Sequence, residues 1–223
     1  LVYFLGVVDA TKLRKVAHRI LSKQLADGSW GQYFGSPGDL STSIECYFAL
    51  KLSGYNPESF ELTKAREFIL ANGSIPNARV FTKIWLALLN QWNWTDIPRM
   101  IPEMVFISQR LPFNIYKFSS WARPTIVPLL VVFGRKPVAV IPDYANLDEI
   151  QSGYSSSNSK FYRSSENKFV KLVNKSMGIY EAQPFHPFRK LAEKRLLNWI
   201  LTHQEKDGLW AGIQPSTFYS LLA

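Results

Sequence analysis

The chain has 223 residues, enough to bury a substantial core as one large domain or two small ones. Its 47% apolar and 14% aromatic content excludes a disordered chain, and its one cysteine excludes both an intrachain disulfide and a cysteine-built zinc site. The net charge of +9 suits an anionic partner, nucleic acid or a membrane surface; with no long basic run and no Gly-rich phosphate loop, the membrane surface fits better.

The first residue is Leu1 rather than Met, which reads as a processed chain or a fragment. Leu1 to Val8 is apolar but too short to span a bilayer, and it lacks the basic start and cleavage site of a signal peptide. Asp9 to Leu25 reads as a helix capped by Asp9, with Leu13, Val16, Ala17, Ile20 and Leu21 on one face. A Gly-Pro-rich loop follows to Gly38, and a second helix runs from Asp39 or Ser41 to Gly54. Cys46 lies among its apolar residues, as a buried structural thiol would. Asn56-Pro57 opens a third helix ending at Asn72-Gly73, and Asn77 opens a fourth with Val80, Phe81, Ile84, Trp85 and Leu88 on one stripe.

Pro98, Pro102 and Pro112 cut the next stretch into short pieces before a kinked apolar helix from Asn114 to Phe133. Arg123, Pro124 and Pro128 interrupt its apolar run, so it reads as a buried helix rather than a membrane crossing. About 135 to 165 is expected to be a flexible surface loop. Glu166 to Tyr180 is a basic amphipathic helix, with Phe169, Leu172, Val173 and Met177 opposed by lysines. A helix from Pro187 to His203 and another starting at Thr217 complete the series, and the last pattern is still running at Ala223. No stretch alternates apolar and polar residues long enough for a sheet. The predicted class is all-α, a solenoid or α/α barrel of helical hairpins, incomplete at both ends and forming one domain over 1–223.

Two corners frame this series. Gln24, Gly28 and Trp30 stand in the same spacing as Gln204, Gly208 and Trp210, each set with Asp-Gly inside and each closing a helix. Physically this is a staple: the Gln amide satisfies backbone groups at a helix end, the Gly makes the turn, and the Trp fills the gap between hairpins.

These corners resemble the QW motifs of the squalene cyclase family. The stretches Pro37–Glu45, Ala78–Leu88, Leu111–Tyr116, Phe118–Arg123, His186–Arg189 and Gly212–Pro215 resemble the squalene–hopene cyclase type, in family order and over nearly the whole chain. The resemblance implies a membrane-bound isomerase of two α/α barrels that closes squalene into a pentacyclic triterpene (hopene or hopanol) through carbocations. It implies no cofactor and no metal, and His18, His186 and His203 show no ligand spacing. This chain would be part of the barrel without the protonating acid: the family's Asp-x-Asp-Asp motif is absent, so the chain alone is not expected to start the reaction.

The same resemblance places Gln214, Pro215, Glu45 and Arg79 around the water that ends the cascade. Read without it, Glu45 and Arg79 are a buried ion pair joining two helices. Phe118, Trp121, Ile126 and Ile213 match positions lining the substrate channel and cavity; Tyr219, counted with this substrate-binding set, and Trp85 match family positions behind that lining. The partners implied are squalene, the second barrel, and a membrane met on the cytoplasmic side as a peripheral protein through Phe169, Leu172, Val173 and Met177; a homodimer is open. One other reading stays open, a standalone isoprenoid- or membrane-binding module without catalysis; no nucleic-acid partner is expected, since only the charge suggests one and no basic–aromatic cluster accompanies it.

Overall fold

A computed structural model describes residues 2–111, 114–151 and 168–223. Among them are ten α-helices joined by turns and short 3₁₀ segments, and no strand. They fall into two compact units, the first within residues 2–97 and 138–151, the second within 98–111, 114–137 and 168–223.

In the first unit, a single turn α1 (Val2–Leu5) precedes α2 (Ala10–Leu21). Asp9 caps α2 by accepting from the amides of Thr11 and Lys12 at 2.9 and 3.1 Å, as its acidic side chain at the positive helix end requires. The helix stops at Leu21, four residues short of the expected Leu25 and three before Gln24, where the corner begins. Helix α3 (Leu40–Leu52) is capped by Asp39. It is buried on most sides through Ser41, Ser43, Ile44, Tyr47, Phe48, Leu50 and Lys51, which makes it the central helix of the unit. Helix α4 (Phe60–Ala71) starts three residues later than Asn56-Pro57 indicates. Asn56 spends its side chain on the amide of Glu58 in a local turn, and Ser59 takes the cap. A 3₁₀ turn at Ile75–Asn77 leads into α5 (Val80–Leu88).

Of the stretch expected as a loop, 152–167 lies outside the described residues. Within residues 138–151, Ala145, Leu147 and Ile150, the last in the single turn α7 (Asp148–Gln151), are fully buried in this unit, while Val140 and Tyr144 stay exposed. Lys51, almost fully buried on α3, donates to Glu149 at 2.6 Å and to the carbonyl of Asn146, and Tyr47 donates to the same carboxylate at 2.7 Å. Gln91 takes the Leu147 amide at 2.8 Å.

The second unit is built on α6 (Arg123–Arg135), in which every residue from Val127 to Phe133 is buried. It begins nine residues after Asn114, because Asn114 spends its side chain on the amides of Tyr116 and Lys117 and caps a separate 3₁₀ turn, Ile115–Lys117. Pro124 occupies the first turn, where no amide is needed. Helices α8 (Lys168–Glu181), α9 (Arg189–Thr202) and α10 (Gln214–Leu222) complete the unit. Ala192, Leu196 and Ile200 of α9 form one core with Val127, Leu130 and Val131 of α6. Glu103 accepts from Arg189 at 2.7 Å and from Tyr180 at 3.0 Å, tying α8 and α9 to the 3₁₀ segment Pro102–Phe106. On α8, Met177 packs against this core and Leu172 is 62% exposed; the side chains of Phe169 and Val173 lie outside those described.

Candidate functional site

Both Gln–Trp corners form as staples. Gln24 Nε2 donates to the carbonyl of Gly28 at 2.9 Å, and Gln204 Nε2 to that of Gly208 at 3.0 Å. Gly28 and Gly208 both adopt a φ of +85°, a left-handed turn that glycine enters without strain. Each indole, almost fully buried, donates back to the last turn of the preceding helix: Trp30 to Ile20 at 2.8 Å, Trp210 to Ile200 at 2.7 Å. The Trp backbone amide then finds a hydroxyl on the next helix, Ser43 at 3.0 Å or Thr217 at 3.3 Å. Spacing within the corners does not reveal those hydroxyls, since the loops between Trp and helix differ in length. Each sits at the fourth helical position after its corner.

At the start of α3, charge is arranged differently from the buried Glu45–Arg79 pair read from sequence. Arg79 is the N-cap of α5, and its backbone amide is held by Ser41 at 2.8 Å. That anchor brings the guanidinium to the cap of α3, one turn short of what Glu45 needs. There it donates to Asp39 at 2.8 Å and to Thr42 at 3.2 Å. Asp39 also accepts from the Thr42 amide and hydroxyl, both at 2.8 Å, and from Gln32 at 2.9 Å. Burial works to raise its pKa, but these bonds and Arg79 outweigh it and hold the carboxyl below its usual range. Asp39→Ala should therefore cost about 1–2 kcal/mol as a lost cap, read from the urea midpoint at pH 7, and should free Arg79.

Glu45 lies exposed on α3, with Oε1 accepting from the buried hydroxyl of Thr82 at 2.6 Å. A carboxylate so anchored is a fixed acceptor facing solvent, able to hold and polarise a water. Its neighbour Cys46 is a poor nucleophile: burial, helped by the Glu45 charge, pushes the thiol up to about 12. Trp85, on α5, is half-buried.

The remaining predicted residues belong to the second unit. Thr125 of α6 and Ser216 of α10 share a hydrogen bond of 2.9 Å near the helix starts, and Arg135 donates to the Ala223 carbonyl near their ends. The two helices therefore run parallel, start beside start. At that end lie Trp121 (71% exposed), the half-buried Ile126, Ile213 (39% exposed), Gln214 and Pro215, with Phe118 (38% exposed) just upstream. Three large apolar side chains left in contact with water beside one amide form a surface that favours an apolar ligand or a covering element. Tyr219 is apart from this surface, fully buried and edge-on to Phe218 at 5.7 Å. Among the described residues there is no group of three or more metal-ligating side chains, and no helix long and apolar enough to cross a membrane.

A family model described as the squalene–hopene cyclase N-terminal domain matches residues 1–223. A squalene–hopene cyclase of Alicyclobacillus acidocaldarius is 38% identical over 223 residues, all of this chain and 35% of that protein. A dammaradiene synthase of Dryopteris crassirhizoma is 31% identical over 98% of the chain and 32% of its own length. A squalene–hopene cyclase of Zymomonas mobilis is 37% identical over 61% of the chain and 21% of its own length. The chain spans about a third or less of each of these relatives. It belongs to the squalene–hopene cyclase N-terminal domain family, an all-α domain of the α/α toroid class.

Proposed function

We propose that this chain is the part of a squalene-cyclising isomerase that supplies apolar walls and the terminating polar group, not the part that starts the reaction. The observation carrying this reading is the gathering of Trp121, Ile126, Ile213 and Gln214 at one end of the α6–α10 pair, three of them large apolar groups held at or near the surface. Aromatic faces stabilise a passing cation and apolar walls keep water from it. The Thr82-anchored Glu45 is the proposed polar group for the last step, in which the final cation either loses a proton to water or captures that water. The first step adds a proton to an alkene, which needs a buried cluster of carboxylic acids; the sequence holds no Asp-x-Asp-Asp, so that acid belongs to the rest of the enzyme. The exposed Leu172 and Ile179 of α8 are the proposed membrane contact through which squalene is drawn.

The test is incubation of squalene with the complete enzyme containing this chain, followed by analysis of pentacyclic hydrocarbon and alcohol. Glu45→Gln and Thr82→Val should each change the hydrocarbon-to-alcohol ratio several-fold while squalene is still consumed. Unreacted squalene with the complete enzyme, or an unchanged ratio in both variants, overturns the reading.

A further inference from the structure

Helix α4 ends on a chemically labile pair. Asn72 is the one asparagine in the sequence that precedes glycine. It is the C-cap of α4, and the turn after it closes with two bonds. The Gly73 amide donates to the Leu70 carbonyl at 3.2 Å, and the Ser74 amide to the Ile69 carbonyl at 2.9 Å. Glycine belongs there because the residue after the cap adopts a φ of +89°. Ser74 follows with a φ of +59°, uncommon for a residue with a side chain. Its hydroxyl donates to the Ile150 carbonyl of α7 and ties the two elements together.

The same pairing carries a reaction. Asparagine is among the thermally labile residues, and a following glycine has no Cβ to shield its amide nitrogen. That nitrogen attacks the asparagine Cγ, and an N–Cγ bond closes a five-membered succinimide. The Cγ–Nδ2 bond breaks, and ammonia leaves with the proton of the attacking amide. Water then opens either carbonyl of the ring, giving an aspartate or its β-linked isomer. Solvent water is the sole co-reactant.

In the closed turn both reacting groups are engaged elsewhere. Asn72 Nδ2 donates to the Phe68 carbonyl at 2.8 Å, which draws the side chain back along α4, and the Gly73 amide is bonded to Leu70. Asn77 lies over the glycine: its Nδ2 reaches the Asn72 carbonyl at 3.4 Å and occupies the space that a Cβ on Gly73 would need. Asn72 is exposed, so water meets it as soon as the turn opens.

We infer that Asn72 is a site of spontaneous covalent modification, gated by opening of the last turn of α4, with Asn77 as its guard. The rate follows the fraction of time that the turn is open. The modification is one-way and changes the fold locally. A carboxylate replaces an amide donor at a helix C-terminus that has no basic residue in its last turn, where the macrodipole disfavours it. The β-linked product adds a carbon to the main chain before Ser74, so the two closing bonds and the tether to α7 are not all kept. The site is independent of the reaction proposed above, and its test does not use squalene.

The complete enzyme containing this chain, folded or in guanidinium chloride, is held at mildly alkaline pH and digested at intervals for mass spectrometry. The peptide bearing Asn72 should gain the mass of a carboxyl-for-amide exchange and split into two chromatographic forms. In the folded enzyme this should run at least about tenfold more slowly than in denaturant, by the same ratio that protects the Gly73 amide from hydrogen exchange. Asp27 and Asp207 also precede glycine, but they isomerise without a change of mass. Asn77→Ala should speed the folded reaction several-fold, leave the rate in denaturant unchanged, and speed exchange of the Gly73 and Ser74 amides by the same factor. Asn72→Gln should abolish the mass gain, because its longer side chain would have to close a six-membered ring. No mass gain in the folded enzyme, or equal rates folded and unfolded, overturns the inference. So does faster exchange at Leu62 and Ala65 to the same degree as at Gly73, which would mean that α4 opens as a whole.

Discussion

Glu149→Leu should destabilise the first unit by about 3–5 kcal/mol, the cost of leaving a buried charge without its partner. The charge at risk is Lys51, whose side chain is 4% exposed and whose ammonium lies 2.6 Å from Glu149. Asn146 offers that ammonium only a carbonyl, and Tyr47 would lose its acceptor in the same step. The double variant Lys51→Met, Glu149→Leu should recover most of the loss, because two apolar groups in the same space leave nothing uncompensated. Acid gives an independent reading. Burial works to raise the pKa of Glu149, but the bonds from Lys51 and Tyr47 outweigh it, so the carboxyl titrates below its ordinary value of 4.5. The stabilisation from a lowered carboxyl is complete above that ordinary value and fades as pH falls through the lower folded one. Glu149→Gln should therefore lose stability at pH 7 but flatten its decline below about pH 4.5. Urea midpoints by tryptophan fluorescence at pH 7 and pH 3.5 decide the matter. A loss under about 1 kcal/mol for Glu149→Leu would show that the pair behaves as an exposed one.

That ion pair also marks where sequence reading stops. Helix starts set by one side chain and the next two or three amides were legible: Asp9 and Asp39 cap where they stand in the pattern. Where a capping residue can serve a local turn instead, the pattern alone misplaces the start. Asn56 and Asn114 both make local turns, and the helices begin after them. The staples were legible because the Gln and indole bonds that close them each span no more than ten residues. Lys51 and Glu149 stand 98 residues apart, and no local periodicity couples them. The charge around Glu45 failed for a related reason. Glu45 and Arg79 are adjacent in the fold, but the Ser41 bond to the Arg79 backbone sets which carboxylate the guanidinium can reach. Only coordinates give that offset of one turn. The exposed group at Trp121, Ile213 and Gln214 was named through family resemblance; composition would have assigned the same apolar residues to a core.

Gly28→Ala should cost about 3–4 kcal/mol and Gly208→Ala about 1–2, although the two glycines share one backbone conformation. An L side chain in the left-handed region costs about 1–2 kcal/mol, and both variants incur that. Only at Gly28 does the new methyl meet backbone, at 2.6 Å from the Lys64 carbonyl carbon and 2.7 Å from its oxygen. Backbone within a helix cannot swing aside as a side chain can, so α4 must withdraw from the corner. Withdrawal breaks the Gln24 bond to Glu61 and the Lys64 bond to Ala26, each worth about 1 kcal/mol. The difference of about 2 kcal/mol between the variants is thus a measure of the cover itself, read from paired urea midpoints in the same chain. Equal costs would mean that the first corner gains nothing from the helix across it.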